Sequence, residues 1–243
     1  MLKVQINKIL PNGDCALLIR FAESDNRLAA IHALAKDLMR PPLPAMINTK
    51  IVNIIPATDS LVLVFSAPIV DIAGLFDVIQ ERVEHLSNHQ YTVQTHDIPV
   101  CYDPAVAVDV LAVCGSLALS HEQLIELHTE PVYRVDMLGF LPGFAYLSGN
   151  HSALNLPRKE TPVIQLEAGS LAIANHQTGI YSLASPGGWH VIGRTPVHLL
   201  DWQNQQQPMA LNPLDEVKFK PISLADYRNL VVNDNANSVD NYD

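Results

Sequence analysis

Glycine is concentrated in one stretch of this chain, and that distribution restricts what the chain can fold into. Eight of the eleven glycines lie between residues 139 and 196, interleaved with aromatic residues and prolines. Glycine weakens regular helices and strands, so such a cluster indicates tight turns or a close approach of the backbone to another group. The accompanying aromatic residues favour a shaped site over a flexible linker.

The composition is that of a globular protein with an acidic second half. Apolar residues make up 48% of the 243 residues and charged residues 16%, which argues against disorder. The formal net charge is −10, and residues 96–243 hold seven Lys/Arg against sixteen Asp/Glu, a net of −9. A field of this sign repels phosphate backbones, so a nucleic-acid partner is not expected.

The N-terminal residues and the cysteine content of the sequence favour a cytoplasmic location. The first residues contain no apolar run of signal-peptide length, and no segment is long and apolar enough for a membrane span. The three cysteines, Cys15, Cys101 and Cys114, are far apart and odd in number. They form neither a metal-binding spacing nor a disulfide framework, and the ten histidines form no paired metal motif. We therefore expect reduced thiols, no metal, no membrane partner and a cytoplasmic location.

Residues 1–96 have the pattern of a small α+β domain. From residue 14 onward, apolar runs and two amphipathic helices follow the order strand, helix, strand, strand, helix, strand, with the last strand at 91–95. Residues 56–60 suit a hairpin between the two central strands, and Pro41 and Pro42 are expected to end the first helix. This order is that of the split βαβ, ferredoxin-like arrangement.

Residues 97–222 have the sequence pattern of a second, β-rich domain. A strand is expected at 97–101, followed by a helix capped by Asp103 and a helix that opens with the capping-box spacing of Ser120 and Gln123. From residue 131 onward, short apolar runs interrupted by Gly and Pro favour a barrel or a sandwich. Strands are predicted at residues 132–135, 171–174, 181–183, 190–192 and 217–219. Residues 223–243 are predicted to form a short helix around 224–227 and then a largely disordered tail.

The first candidate site segment is residues 139–147, which contain no nucleophile. Gly139 and Gly143 free the backbone there, while Phe140, Phe144 and Tyr146 supply flat apolar faces. Such a wall can pack against a planar amide or ring. The alternative interpretation is a turn whose aromatic residues fill the barrel core.

The second candidate segment begins at His176. Gln177 and Thr178 can hydrogen-bond an amide or a carboxylate, and His176 can titrate near neutrality. Each of these polar residues is, taken alone, more often a turn former than a site residue.

The third candidate segment is residues 185–194. The amides of Gly187 and Gly188, near Ser185 and Trp189, can cradle an anion as backbone nests do. Arg194 is the natural partner for an anionic group, and its alternative role is a salt bridge to a nearby carboxylate.

His128 is the remaining candidate. It ends a predicted helix, where a histidine either complements the helix dipole or points into the site as a general base. Both interpretations stay open. The chain contains no phosphate loop of the Gly-x-x-x-x-Gly-Lys type and no Gly-x-Gly-x-x-Gly motif.

Three long motifs, in order, resemble the family of the 5-oxoprolinase B subunit, which includes the allophanate hydrolase subunit 1 domain and a bacterial histidine-kinase inhibitor. The motifs are residues 133–147, residues 167–181 and residues 185–195. The resemblance extends from residue 11 to about residue 219. The chain differs from the family pattern at Asn175 and His176, where a pair of glycines is usual, so the contacts to substrate are expected to differ there.

The resemblance implies a ferredoxin-like N-terminal domain and a cyclophilin-like β-barrel C-terminal domain. It implies a hetero-oligomer with the 5-oxoprolinase A and C subunits that opens the 5-oxoproline lactam to L-glutamate with ATP hydrolysis, this chain being inactive alone. Arg194 and the amides of Gly187 and Gly188 are expected to hold negative charge in that reaction, and His128 is the second candidate catalytic residue. The residues expected to bind the substrate amide are Phe140, Pro142, Gly143, Phe144, His176, Gln177, Thr178, Tyr181, Ser185, Gly187, Gly188 and Trp189.

Two alternatives of other classes remain open from the sequence. The chain can be a regulator that binds a histidine kinase through its barrel, or a carboxyltransferase-type subunit that acts on urea-like amides. The latter requires a separate biotin carrier, because no Met-Lys-Met biotinylation signature occurs in this chain. The resemblance implies that the complex uses ATP, which binds either to this chain or to a partner subunit.

Overall fold

Alternating apolar residues and two amphipathic helices build the N-terminal unit. A computed structural model describes residues 4–39, 50–86 and 92–239, with side chains up to residue 233. The chain divides into two compact units, Met1–Thr92 and Val93–Asp243. The first unit contains, in chain order, β1 (Ile6–Pro11), β2 (Ala16–Phe21), α1 (Arg27–Leu38), β3 (Ile51–Pro56), β4 (Ser60–Phe65) and α2 (Ile72–Glu84).

The four strands form an antiparallel sheet in the order β1-β2-β4-β3. Alternation along β4 buries Leu61, Leu63 and Phe65, which pack against the buried faces of α1 and α2. The predicted helices and the β3–β4 hairpin are confirmed. The Asp71 carboxylate caps α2 by accepting a hydrogen bond from the Gly74 amide at 2.8 Å.

The fourth strand of this sheet differs from the prediction. It is β1, which precedes the predicted pattern and pairs with β2 as a hairpin, whereas the fourth strand was predicted at residues 91–95. Tyr91 lies outside the described residues, as do Pro41 and Pro42, and residues 92–94 are not in a strand. Thr95 instead begins a strand of the second unit, Thr95–Cys101, which pairs in parallel with the strand Glu216–Ile222.

The second unit is a closed seven-stranded barrel in the order β10-β7-β6-β13-β5-β12-β9, with a separate two-stranded sheet of β11 and β8. Its elements are β5 (Thr95–Cys101), α3 (Val110–Leu117), α4 (His121–Thr129), β6 (Tyr133–Leu138), β7 (Ala145–Ser148), β8 (Val163–Leu166), β9 (Ser170–Ala174), β10 (Gln177–Ile180), β11 (Ser185–Gly187), β12 (His190–Arg194), β13 (Glu216–Ile222) and α5 (Leu224–Val239). The α+β class and the barrel are therefore as predicted.

Local differences from the prediction have local causes. The Asp103 carboxylate accepts the Ala105 amide at 2.9 Å and closes a single turn, so α3 begins at Val110 and not after Asp103. The predicted strand at 181–183 is absent, because the chain leaves the barrel after Ile180. The α5 helix opens with Ser223 accepting the Asp226 amide at 3.1 Å, and it continues to Val239 through part of the tail expected to be disordered. The capping box of Ser120 and Gln123 is confirmed at the start of α4.

Period-two alternation gives the barrel wall two different faces. On β9, Leu171 and Ile173 point into the barrel core, whereas Ala172 and Ala174 belong to a second apolar cluster on the outer face. On β12, Ile192 points into the barrel core, whereas Val191 belongs to the apolar cluster on the outer face. The interior is thus filled by side chains, and a site on this wall must lie outside the barrel.

Among the described residues, no single helix is long and apolar enough to cross a membrane. Only α3 and α4 together, bent by 93°, pass that test of length and composition.

Candidate functional site

A cavity of about 290 Å³ lies against the outer face of the barrel wall, between that wall and the β8–β11 sheet. It is lined by Phe140, Phe144, Tyr146, Arg158, Lys159, Pro162, Tyr181, Pro186, Gly187, Gly188 and Trp189. Aromatic residues from the β6–β7 turn, from β7 and from the segments around β11 therefore form most of its surface.

The aromatic rings of the cavity contact one another edge to face. Phe144 is central, with ring centroids 4.7 Å from Tyr146, 4.9 Å from Tyr181 and 6.0 Å from Trp189. Phe140 adds a ring 5.5 Å from Phe144 at the mouth. Because edge-to-face packing aligns the positive edge of one ring with the negative face of the next, it fixes the orientation of each ring. The result is a rigid apolar surface that suits a flat ligand.

Two glycines of the sequence cluster make this packing possible. A Cβ atom at Gly179 would lie 2.7 Å from Cζ of Phe144 and 2.9 Å from Cζ3 of Trp189. A Cβ atom at Gly187 would overlap the hydroxyl of Tyr181. The close approach predicted from the glycine cluster is confirmed at these positions: the backbone of β10 and β11 is itself part of the surface on which the rings lie.

The turn that presents Phe140 holds a strained backbone. Phe140 has φ 68°, a left-handed conformation that is unfavourable for a residue with a Cβ atom, and Gly143 in the same turn has φ 75°. The turn is closed by hydrogen bonds from the Gly139 amide to the Phe144 carbonyl and from the Phe144 amide to the Leu141 carbonyl, both 3.1 Å. The Phe140 side chain is 61% exposed, so the strain is not explained by burial of its ring. Strain of this kind is found at ligand-binding sites.

Two consecutive cations line the cavity, and they differ in their partners. The Lys159 ammonium donates to Oδ2 of Asp109 at 2.6 Å, and the same oxygen accepts the Val191 amide at 2.7 Å. Its charge is therefore neutralised. The guanidinium carbon of Arg158 instead lies 5.8 Å from the centre of the Trp189 ring, a cation–π contact.

Burial keeps the two cavity tyrosines protonated. Desolvation raises the pKa of Tyr181 to about 12 and raises the pKa of Tyr146 above its ordinary value, and the positive charge of Arg158 opposes both shifts. Near neutral pH both phenols are therefore hydrogen-bond donors and not bases.

The structure brings some of the sequence-predicted residues together in this cavity and leaves others outside. Those that line it are Phe140, Phe144, Tyr181, Gly187, Gly188 and Trp189. Pro142 and Gly143 belong to the turn behind Phe140, where the Pro142 carbonyl accepts the Ser182 hydroxyl at 2.6 Å. His176 lies in the exposed β9–β10 turn, and Gln177 begins β10 beside it. Ser185 is buried in β11, and its hydroxyl donates to the Pro186 carbonyl at 3.2 Å.

His128 lies inside the barrel and does not line the cavity. It has no exposed surface, and its ring stacks on Phe219 with centroids 4.9 Å apart. The Thr178 hydroxyl donates to Oδ1 of Asn150 at 2.7 Å, so it must accept from Nε2–H of His128 at 3.2 Å. Nδ1 of His128 then accepts the Tyr102 hydroxyl at 2.8 Å. Burial lowers the pKa of His128 to about 3, so the imidazole stays neutral. This arrangement fits a core hydrogen-bond network and not the expected general base.

Arg194 lines a different, smaller cavity of about 120 Å³ together with Tyr227. Its Nε–H donates to the Ala168 carbonyl at 3.0 Å, and its guanidinium lies 3.7 Å from the Glu167 carboxylate. The salt-bridge alternative for Arg194 is thus the one that the structure contains. Gly187 lies in β11, and neither it nor Gly188 has the positive φ of an alternating nest, so the expected anion cradle is not formed there.

Sequence and structural relatives agree on the family of this chain. A family profile described as the carboxyltransferase domain, subdomain C and D, matches residues 7–211. A curated relative, the B subunit of 5-oxoprolinase from Bacillus subtilis strain 168, is 36% identical over 228 residues, which is 88% of this chain and 92% of the relative. The chain belongs to the carboxyltransferase-domain family that includes the 5-oxoprolinase B subunit.

Two solved structures show how the fold is used in longer chains. The protein TTHA0988 is 34% identical with a TM-score of 0.71, and the match covers 86% of this chain but only 40% of that one. Urea carboxylase of Kluyveromyces lactis has a TM-score of 0.72 at 14% identity, over 93% of this chain and 24% of the enzyme, and this likeness concerns the fold alone. The chain therefore spans less than half the length of these solved relatives.

The cavity residues that sequence reasoning missed are Arg158, Lys159 and Pro162. A signal for the two cations was present. They are the only Lys or Arg residues between residues 139 and 193, and prolines flank them at 157 and 162. Two adjacent cations isolated within an aromatic and glycine-rich stretch indicate a ligand-binding surface more directly than Arg194 does.

Proposed function

We propose that this chain is the B subunit of a 5-oxoprolinase complex, which opens 5-oxo-L-proline to L-glutamate with hydrolysis of ATP. The observation that carries the proposal is the 36% identity to the Bacillus subtilis 5-oxoprolinase B subunit over 92% of that relative. The cavity supports the same assignment through its chemistry.

The cavity suits a small planar amide. A volume of about 290 Å³ lies at the lower end of the range for small-molecule sites. The ring system around Phe144 offers flat apolar contacts to a five-membered lactam. The phenols of Tyr146 and Tyr181 remain protonated, so they are available as donors to a carbonyl oxygen.

The cavity also has the character of one half of a catalytic site. Its lining residues include no serine, cysteine, histidine or carboxylate that could act as nucleophile or base near neutral pH. Large apolar side chains are exposed beside it: Phe140 at the mouth, and Ile164, 88% exposed, two residues after Pro162. Exposed apolar residues next to an incomplete site favour a partner protein that covers them. We propose that the A and C subunits supply the missing groups.

The lining residues do not fit ATP itself. A nucleoside triphosphate with its divalent cation calls for several phosphate donors and for carboxylate ligands to the metal. This cavity presents one guanidinium that has no carboxylate partner among the described residues, a lysine already paired with Asp109, and no lining carboxylate. We therefore propose that ATP binds on a partner subunit, and that this chain orients the amide.

Reconstitution tests the proposed function. The chain is co-expressed with the A and C subunits, and glutamate formation from 5-oxoproline is followed with and without ATP. We expect ATP-dependent glutamate formation by the complete complex and none when this chain is omitted. Undiminished activity without this chain would overturn the proposal. The same purified chain, added to a histidine kinase autophosphorylation assay, is expected to have no effect.

A further inference from the structure

Arg158 carries a charge that nothing else in the described part of the protein neutralises. Among those residues its guanidinium has no hydrogen-bond or ion-pair partner, and its contact is with the Trp189 ring at 5.8 Å. Its neighbour Lys159 differs, since Asp109 holds that ammonium at 2.6 Å. An arginine held over a ring with its five N–H donors free is poised to bind an anion.

The net charge of the cavity also favours an anionic ligand. Its lining includes two cations and no carboxylate, and the Lys159–Asp109 pair cancels one of the cations. The cavity thus has a net charge of about +1 in a protein whose formal net charge is −10. A local positive site in an acidic protein favours an anionic ligand over a neutral one. Arg158 lines the same cavity as Tyr146 and Tyr181, so its charge lies on the surface that a ligand of this cavity would contact.

We propose that Arg158 binds the carboxylate of a ligand whose flat amide ring packs against Phe144 and Trp189. Arg158 is then the residue that selects a carboxylate-bearing cyclic amide over a neutral amide of the same shape. The inference rests on the proposed function for the identity of the ligand. It replaces Arg194 as the anion-binding residue, because Arg194 is engaged with Ala168 and Glu167 outside this cavity.

Arginine and lysine are not equivalent in this role. A planar guanidinium can bind both oxygens of a carboxylate at once while it keeps its cation–π contact with the Trp189 ring. A lysine at 158 would preserve the charge but lose the paired geometry. The Arg158→Lys variant is therefore expected to be intermediate between the wild type and Arg158→Gln.

Ligand binding to the full chain and to the complex with the A and C subunits tests the inference without requiring turnover. Trp189 becomes the sole tryptophan in a Trp202→Phe background, and its fluorescence reports on the cavity wall. The probes are 5-oxoproline, the neutral lactam 2-pyrrolidinone, and inorganic phosphate. We expect 5-oxoproline to bind about 10- to 100-fold more tightly than 2-pyrrolidinone. Arg158→Gln should abolish that preference by weakening 5-oxoproline alone.

Arg228→Gln is the matched control, since Arg228 is exposed on α5 and does not line the cavity. It should leave both affinities unchanged. Because 2-pyrrolidinone should bind the wild type and Arg158→Gln equally, it also reports whether the variant retains its cavity. An unchanged preference in Arg158→Gln, no saturable binding to either the chain or the complex, or phosphate binding as tightly as 5-oxoproline would each overturn the inference.

Failure of this inference is distinguishable from failure of the proposed function. If the reconstituted complex forms glutamate with the same KM for 5-oxoproline in Arg158→Gln, the function stands and the role of Arg158 is wrong. If Arg158-dependent binding occurs but the complex forms no glutamate, the anion site stands and the proposed reaction is wrong.

Discussion

The hydroxyl of Tyr102 lies 2.8 Å from Nδ1 of His128, and neither side chain has appreciable contact with solvent. This hydrogen bond begins a directed series that continues through Thr178 to Asn150. The donors on Tyr102, His128 and Thr178 each meet an acceptor, which offsets most of the cost of burying these polar groups inside an apolar barrel. The Nδ2 atom of Asn150, at the end of the series, is buried and has no hydrogen-bond partner among the described residues. The imidazole must be neutral for the series to form, and this requirement makes stability depend on pH.

We predict that the free energy of unfolding falls as the pH is lowered from about 6.5 towards 3. The folded-state pKa of His128 is about 3, whereas an unperturbed histidine has a pKa of 6.5. Between these values the unfolded chain binds a proton that the folded chain excludes, so this stability is complete above pH 6.5 and is lost on acidification. The slope from this one group is about 1.4 kcal/mol per pH unit. Urea denaturation at several pH values measures it.

His128→Gln is the test variant for that experiment. His176→Gln is its control, because His176 is exposed in the β9–β10 turn. His128→Gln should flatten the pH dependence relative to the wild type and also lower stability at neutral pH, because it disturbs the buried network. His176→Gln should retain the wild-type curve. Parallel curves for the wild type and His128→Gln would show that His128 does not cause the acid sensitivity.

Alanine substitutions at two glycines should change stability in opposite directions. Gly179→Ala places a methyl group 2.7 Å from the Phe144 ring, and we expect a loss of about 1–3 kcal/mol from overpacking. Gly115 lies in α3 and has open space where a Cβ atom would sit, so Gly115→Ala should stabilise by roughly 0.5–1 kcal/mol through helix propensity. Chemical denaturation of both variants checks the signs. Equal effects would contradict the role assigned to Gly179.

Glycine and alanine substitutions at Phe140 should differ in stability but not in ligand binding. At φ 68° a glycine is unstrained, so Phe140→Gly should be more stable than Phe140→Ala by about 1 kcal/mol. Both variants remove the ring at the cavity mouth and should weaken binding of 5-oxoproline to a similar extent. Thermal unfolding and Trp189 fluorescence titration separate the two effects. A glycine variant no more stable than the alanine variant would argue against backbone strain at this position.

The two ion pairs of Asp109 and Asp97 should differ in their contribution to stability. Asp109 is largely buried, pairs with Lys159 at 2.6 Å and accepts the Val191 amide, so Asp109→Asn should cost about 1–3 kcal/mol. Asp97 and Lys220 are 3.7 Å apart and both are exposed, so Asp97→Asn should cost less than about 0.5 kcal/mol. Denaturation of both variants in low and high salt provides the measurement. Comparable losses would mean that the Lys159 pair contributes little to holding the cavity wall.

Local sequence patterns correctly predicted the secondary-structure elements that are stabilised by interactions between residues close in sequence. The helices α1 and α2, the β3–β4 hairpin and the capping box of α4 follow from apolar periodicity and from side chains that bond the adjacent backbone. Strands β7 and β10 were not predicted, because each is only four residues long and shows little period-two alternation, and Gly179 lies within β10. Both strands form because their neighbours in the barrel supply hydrogen-bond partners, which no local window contains.

The sequence alone was sufficient to predict an α+β organisation, a shaped surface in the glycine-rich and aromatic window, and the family that the chain resembles. These properties depend on residue type and spacing along the chain. Three assignments required the folded structure: His128 is a neutral core residue, Arg194 lies outside the aromatic cavity, and Arg158 lies within it. The reason is that each role depends on burial and on partners distant in sequence. The 2.6 Å contact of Lys159 with Asp109, for example, joins residues fifty positions apart and neutralises one of the two cations of the cavity.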